Sequence, residues 1–461
     1  MKPKYFLALG LLVLGLGSCG ESFFEQYPSN NITEGNFYKT DDDFNQGVVA
    51  CYAKLKTQMS FHLTEIGYRS DENILESMAV STQDRYDIDN FAETASNGIL
   101  NDIWNAWYNG IYRCNDVLDH MTGAKIANYD KYRGECLFLR SWWYFNLYRV
   151  FGVVPITRTV VTPAAAKLIP RCTEEEMYTL LTEDLAEAAR LLPPTPGPEK
   201  ARVANIAAYT LLAKVYLTFG KPAEAKTALE EAMKNTSYGL ESTTKKVFDV
   251  GNKMNREIIF ALYYNKTNDN GHGYWYSANT DVMADIRNPT PEFKAIYDES
   301  DNRLALIDTY TKIQSNLFAM TKWYDTYDAT YTTQVGNDFP HLRYADVVLM
   351  YAEALAESGG SLGDALEWLN KTRTRAGLDE LTTDEVKSLA EFRRELAAER
   401  GREFALEGHR WFDLVRLGLA VDYFREMGYS LDSHNLIFPI PQNQIEIVNN
   451  PSILWQNPGF N

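Results

Sequence analysis

YTLLAKVYLTFGKPAEAKTALEEAM, residues 209–233, carries the pattern that sets the fold. Tyr209, Leu212, Ala213 and Tyr216 recur at spacings of three and four, which puts them on one face of a helix. Gly220 then ends that helix, and Pro222 opens a second one carrying Ala225, Leu229 and Ala232. The small Ala213 and Ala225 let two antiparallel helices approach closely, while Tyr216 and Leu229 fill the space beside them. A P-loop reading of 220–227 (GKPAEAKT) fails, because no glycine precedes Lys226.

A second pair follows the same logic at 343–376. Val348, Tyr351, Ala352 and Leu355 share a face, Gly359-Gly360 break the chain, and Ala365 and Leu369 return. Its turn is one residue longer than the first. This placing of large and small residues is that of the tetratricopeptide repeat. Residues 132–150 are apolar nearly all round (Leu137, Phe138, Trp142, Trp143, Phe145, Leu147), which predicts a buried helix. Residues 174–192 form an amphipathic helix stopped by Pro193-Pro194, and 195–200 read as a linker. The expected class is mainly α: tetratricopeptide-like helix pairs in an α-α superhelix, carrying an irregular, loop-rich half. The two repeats are not consecutive, however. About 236–341 lies between them, rich in Asn, Asp, Gly, Tyr and Trp, and a loop region that long points to a ligand.

The N-terminus reads as an export signal. Lys2 and Lys4 precede an apolar run, Phe6–Gly17, too short to span a bilayer, and Leu16-Gly17-Ser18-Cys19 resembles a bacterial lipobox. The expectation is a signal peptide at 1–18, lipid attachment at Cys19, a tether at about 19–40 and one domain over the rest of 19–461. The formal charge of -17 becomes -19 once Lys2 and Lys4 are removed. Such a balance argues against nucleic-acid binding. Cys51, Cys114, Cys136 and Cys172 fit two disulfides or buried thiols equally well.

Six segments taken together resemble one family: 134–156 (GECLFLRSWWYFNLYRVFGVVPI), 181–193, 342–360, 369–378, 399–418 (ERGREFALEGHRWFDLVRLG) and 438–460, with YPSNNIT at 27–33 behind the lipid cysteine. The chain is similar to the SusD/RagB family of outer-membrane nutrient-binding lipoproteins. The resemblance implies a helical domain with four tetratricopeptide-like pairs supporting an irregular ligand-binding half. It also implies a cell-surface lipoprotein that binds oligosaccharide and delivers it to a SusC-type TonB-dependent transporter, with peptide binding of the RagB kind as the alternative. No cofactor, metal or catalysis is implied. Arg140, Arg343, Arg373, Arg375, Arg402 and Arg410, among Glu135, Asp346, Glu353, Glu407 and Asp413, read as ion pairs clamping helices together.

For the ligand, sugar faces pack on Trp and Tyr while their hydroxyls need polar partners at the edge. Three segments combine both: 101–115 with Trp104, Trp107 and Tyr108; 265–281 with His272, Tyr274, Trp275 and Tyr276; and 321–331 with Trp323, Tyr324 and Tyr327. The helical spacing of Trp104 and Trp107 puts at least one of them in the core, and Trp323 competes with the same reading. Arg69, with Asp71 and Glu72, is a further candidate, although helix capping by Ser70 or Asp71 explains that segment too. Glu395, Glu399, Glu403 and Glu407 stack along one helix face. Interleaved arginines make an ion-paired helix surface a simpler account than a glycosidase acid and base. HExxH and histidine pairs at i, i+4 are missing from the sequence, and Asp41-Asp42-Asp43 and 268–270 lack calcium-loop spacing. An enzyme and a pure protein scaffold therefore rank behind the binding readings.

Overall fold

The computed structural model describes residues 37–72, 83–197, 199–265, 277–279, 289–312, 317–325 and 336–460. Cys19, His272, Trp275 and Tyr276 lie outside them, as does the 268–270 loop.

Among the described residues nine long helices form the frame: α1 Asp41–Gly67, α2 Gly98–Met121, α3 Tyr129–Phe151, α4 Glu174–Leu191, α5 Asn205–Thr218, α6 Pro222–Met233, α7 Tyr344–Glu357, α8 Leu362–Arg375 and α9 Leu389–Glu403. Their ends are written in the sequence. Thr40, Thr173 and Ser388 each accept from the backbone of the third residue of α1, α4 and α9, whose Asp43, Glu176 and Glu391 reach back in capping boxes. Gly220 turns out of α5 at φ +67, a left-handed conformation open to glycine. The acids at 41–43 have structural partners: Asp41 accepts from Asn128 and Tyr132, Asp42 from Gln46, and Asp43 caps. Among the described residues no cluster of potential ligands could hold a metal ion.

Each long helix packs against the next in the chain, α1 on α2, α2 on α3 and so on through α5 on α6. The stack then continues directly from α6 to α7, α7 to α8 and α8 to α9. The excursion between α6 and α7 is closed at its base by two antiparallel strands, β1 Ile258–Leu262 and β5 Phe339–Arg343, paired Ile258 to Arg343 and Leu262 to Phe339. Within it β2 Ser277–Asn279, β3 Tyr310–Lys312 and β4 Leu317–Met320 form a small antiparallel sheet in the order β2-β4-β3. One buried cluster runs from Phe44 to Leu454, so both ends of the described chain share a core. Cys51, Cys114, Cys136 and Cys172 are buried free thiols.

The clamp reading of the arginines holds, with a different wiring. Arg343, at the end of β5, meets Glu257 at 2.8 Å, Glu403 at 2.6 Å and Glu407 at 2.8 Å. Arg375 joins the same Glu257 and Glu403, Arg303 takes Asp301, Glu399 and Glu403, Lys322 takes Glu407, and Arg402 takes Glu399. Arg140 pairs with Asp184 and Arg410 with Asp71; Arg373 instead donates to the Asp379 carbonyl. The glutamate ladder is corrected by this network: Glu399, Glu403 and Glu407 are buried beneath the excursion and not on a solvated surface. Burial alone would raise the Glu403 carboxyl, but Arg375, Arg343 and Arg303 hold it well below the usual range.

Glu72 sits differently. Its Oε1 accepts the Leu406 N–H at 3.0 Å and so helps hold that residue at φ +62, but burial pushes its carboxyl up to about 8. The folded chain thus binds one more proton than the unfolded chain between about pH 4.5 and pH 8. The stability Glu72 contributes is present below that window and lost as pH rises through it. Glu72→Gln keeps the acceptor and removes the charge, so it should gain on wild type by a few kcal/mol from pH 5 to pH 8. Urea midpoints at the two pH values check this; an equal offset at both would refute it.

Candidate functional site

One face of α2 is built as an aromatic stripe. Trp104, Tyr108 and Tyr112 recur every four residues and line a cleft of about 340 Å³ between α2, the 155–169 segment and the short helix Gln442–Val448. Trp104 forms the floor at 6 % exposure, tilted against Tyr108 with ring centroids 5.0 Å apart and edge-on to Phe151 at 5.3 Å. Tyr108 is fixed by its hydroxyl, which donates to the Pro155 carbonyl at 2.7 Å. Tyr112 stands at the rim, 43 % exposed.

The far wall is stapled to this helix. Asn115 Nδ2 donates to the carbonyls of Thr157 at 3.0 Å and Thr159 at 3.2 Å, while its Oδ1 accepts from Arg140 at 2.9 Å. Arg140 in turn is held bidentately by Asp184, both contacts at 2.8 Å. Tyr144 exchanges hydrogen bonds with the Thr157 backbone, and Val160 N–H donates to Asp119 at 2.7 Å. The third wall is tied down by Gln444, which donates to Asn105 Oδ1 at 3.1 Å, and by the Gln442 N–H to the Ala95 carbonyl at 2.8 Å. Asn105, Gln444, Thr159 and Lys167 supply polar edges, and Ile447, Val448 and Leu454 complete the apolar lining. Such a site is concave and largely apolar, with few convergent polar groups.

The structure divides the residues that the sequence singled out. Trp104 lines the cleft, but Trp107, three positions on, points into the core against Trp143 and His62 with 0 % exposure. Trp323 is likewise fully buried, packed against Phe248 at 5.2 Å and Phe339 at 6.3 Å; it plugs the base of the excursion and presents no face to a ligand. Tyr324 beside it is half-buried. Arg69 is corrected as well: its guanidinium pairs with Glu93, donates to the Asn435 carbonyl at 2.7 Å and is enclosed by Phe91, Phe438 and Trp411. Tyr112 and the Gln442–Val448 wall were missed. Tyr112 had a signal, the i+4 spacing from Tyr108; the wall had none, since it is more than 300 residues distant in sequence.

Comparison with known proteins places this architecture. A family model described as the SusD family matches residues 298–460, and one described as starch-binding associating with outer membrane matches 25–217. The chain belongs to the SusD/RagB family. A SusD-like protein of Formosa agariphila is 26% identical, covering 99% of this chain and 100% of its own length. The crystal structure of a SusD-like protein from Bacteroides fragilis superposes with a TM-score of 0.78 at 22% identity, covering 94% of this chain and 100% of that one. A laminarin-binding SusD-like protein gives 0.75 at 24% identity, covering 92% and 100%. The SusD fold is therefore the mainly helical frame described above.

Proposed function

We propose that this SusD-family chain binds oligosaccharide in the Trp104–Tyr108–Tyr112 cleft, as a lipoprotein anchored through Cys19 in the outer membrane and exposed at the cell surface, and passes it to a SusC-type TonB-dependent transporter. The observation that carries the binding reading is the aromatic stripe edged by Asn105, Thr159 and Gln444. Aromatic faces suit the C–H faces of sugar rings, and amides and hydroxyls at the edge suit their hydroxyl groups. The laminarin-binding relative and the starch-binding family description support a glycan as ligand, and that description supports the outer membrane as the location. No chemistry is asked of the site: Glu399, Glu403 and Glu407, the carboxylates that would serve a hydrolase, are all engaged by arginine or lysine. His272, Trp275 and Tyr276, which lie outside the described residues, and Tyr324 are kept as the alternative ligand-binding candidates.

Calorimetry of the full chain in mild detergent against laminarihexaose, maltohexaose and a set of peptides tests this. Saturable binding of an oligosaccharide should weaken about tenfold in Tyr112→Ala, the order expected for one aromatic contact. Unchanged affinity in Tyr112→Ala with a loss in Trp275→Ala moves the site to the excursion. Binding of peptides with all sugars silent replaces the ligand class.

A further inference from the structure

A second cleft, of about 350 Å³, opens where the C-terminal turn of α3, α5 and the short helix Arg410–Arg416 meet. Its lining carries three cations, Arg149, Lys214 and Arg416, against one acid, Asp413, with Thr218 and His409, in a chain that is acidic overall. Lys214 Nζ lies 2.5 Å from Asp346, which also takes Arg400 at 2.8 Å. Asp413 takes Arg400 and Arg416, each at 2.8 Å, and Arg416 also pairs with Glu353. Three carboxylates thus answer three of the four cations.

Arg149 is the fourth. Its guanidinium lies over the Phe412 ring, 3.9 Å from the centroid, and near Phe145 at 4.7 Å. Its Nη2 donates to the Asn146 side chain, its Nε is shut off from solvent with no hydrogen-bond partner, and among the described residues no carboxylate pairs with it. His409 adds no acid: its ring stacks on Phe404 at 4.7 Å, and burial lowers its pKa well below the ordinary value, leaving it neutral with Nδ1 3.4 Å from the Lys214 ammonium. The recess therefore holds one positive charge more than it needs. A half-buried cation with no carboxylate paired to it is costly, and a bound anion would reduce that cost.

We propose that this cleft is a binding site for a small monocarboxylate of about the size of a hexuronic acid, its carboxylate meeting the free edge of Arg149. One surplus charge matches one carboxylate, and a planar guanidinium held by aromatic faces offers a fork suited to that group. The Lys214 ammonium and the Thr218 hydroxyl line the same space and can meet sugar hydroxyls. The site shares no lining residue with the aromatic cleft, so the two proposals stand or fall separately.

The test is calorimetry of the full chain with glucuronate, glucose and inorganic phosphate. Glucuronate should bind saturably, at least tenfold tighter than either other probe. Arg149→Met should weaken it at least tenfold, and Tyr112→Ala should leave it unchanged. Equal binding of glucose, tighter binding of phosphate, or an unaltered affinity in Arg149→Met overturns the proposal, as does no binding of glucuronate. Should Arg149→Met fail to fold, Val415→Phe, which narrows the cleft without touching a charge, must cost the same affinity; the wild-type comparison of the three probes decides independently of either variant.

Discussion

Arg343→Met is expected to lower stability by about 3–5 kcal/mol, the range for stripping one partner from a buried ion network. The arginine has 1 % exposed surface and touches Glu257, Glu403 and Glu407, acids from two distant parts of the chain. Without it, Glu407 keeps Lys322, and Glu257 and Glu403 keep Arg375, but each loses a donor in a place water does not reach. Arg343→Lys should recover only part of the loss, because an ammonium cannot span acids on several sides as the guanidinium fork does. The network also sets an acid limit. Glu403 is held low by its arginines, so its contribution is present above the unfolded carboxylate pKa near 4.5 and declines as pH falls below it. Denaturant midpoints of the three proteins at pH 7 check the prediction, and a midpoint for Arg343→Met close to wild type would show that these acids are solvated or neutral.

Gly110→Ala should destabilise by about 2–3 kcal/mol, although alanine is the better helix former by about 1 kcal/mol. Gly110 lies in the middle of α2 where α3 crosses it, and a Cβ there would stand 2.2 Å from Cε2 of Trp143. Trp143 is itself fully buried and has no space into which to retreat, so the added methyl overpacks the crossing. A Trp143→Phe partner shortens the obstructing ring. The double variant should therefore lose less than the sum of the two single changes, by about 1 kcal/mol or more. Strict additivity in that cycle would mean that the two side chains do not compete for the same space. The prediction bears on function too, because Tyr108 and Tyr112 ride on the same helix and would shift with it.

Sugar binding in the aromatic cleft and carboxylate binding beside Arg149 are independent consequences of one scaffold. The nearly continuously buried α3 lines the second cleft with Phe145, Tyr148 and Arg149 and backs the first, where Phe151 packs on Trp104 and Tyr144 holds Thr157. A buried helix is a firm support for side chains that must hold a ligand's geometry without further ordering cost. The loops that form the outer walls are then stapled to that support through Arg140, Asn115 and Tyr144 on one side and Arg171 on the other, which donates to Val153, Trp455 and Asn457.

Local pattern was enough for the helix pairs. The spacing of Tyr209, Ala213 and Tyr216, the Gly220 turn and Pro222 predict α5 and α6 as they stand, and the second pair has the expected longer turn, 358–361 against 219–221. These features act within a few residues, where sequence distance and spatial distance are the same thing. The stripe through Trp104 and Tyr108 was equally visible, but its neighbour Trp107 was not separable from it, because a shift of three positions turns a helical side chain by about 60° from the stripe and only the position of α3 says which direction is inside. The glutamates at 399, 403 and 407 likewise show their spacing in the sequence and not their depth. Whether that face meets water or Arg303 and Arg343 depends on where the excursion folds back. Most of all, the stack from α6 onto α7 joins residues more than a hundred positions apart, made neighbours when β1 pairs with β5 and closes the loop between them. Periodicity carries no information about such a closure. It is settled by the burial and ion pairing that become available only once the distant segments meet.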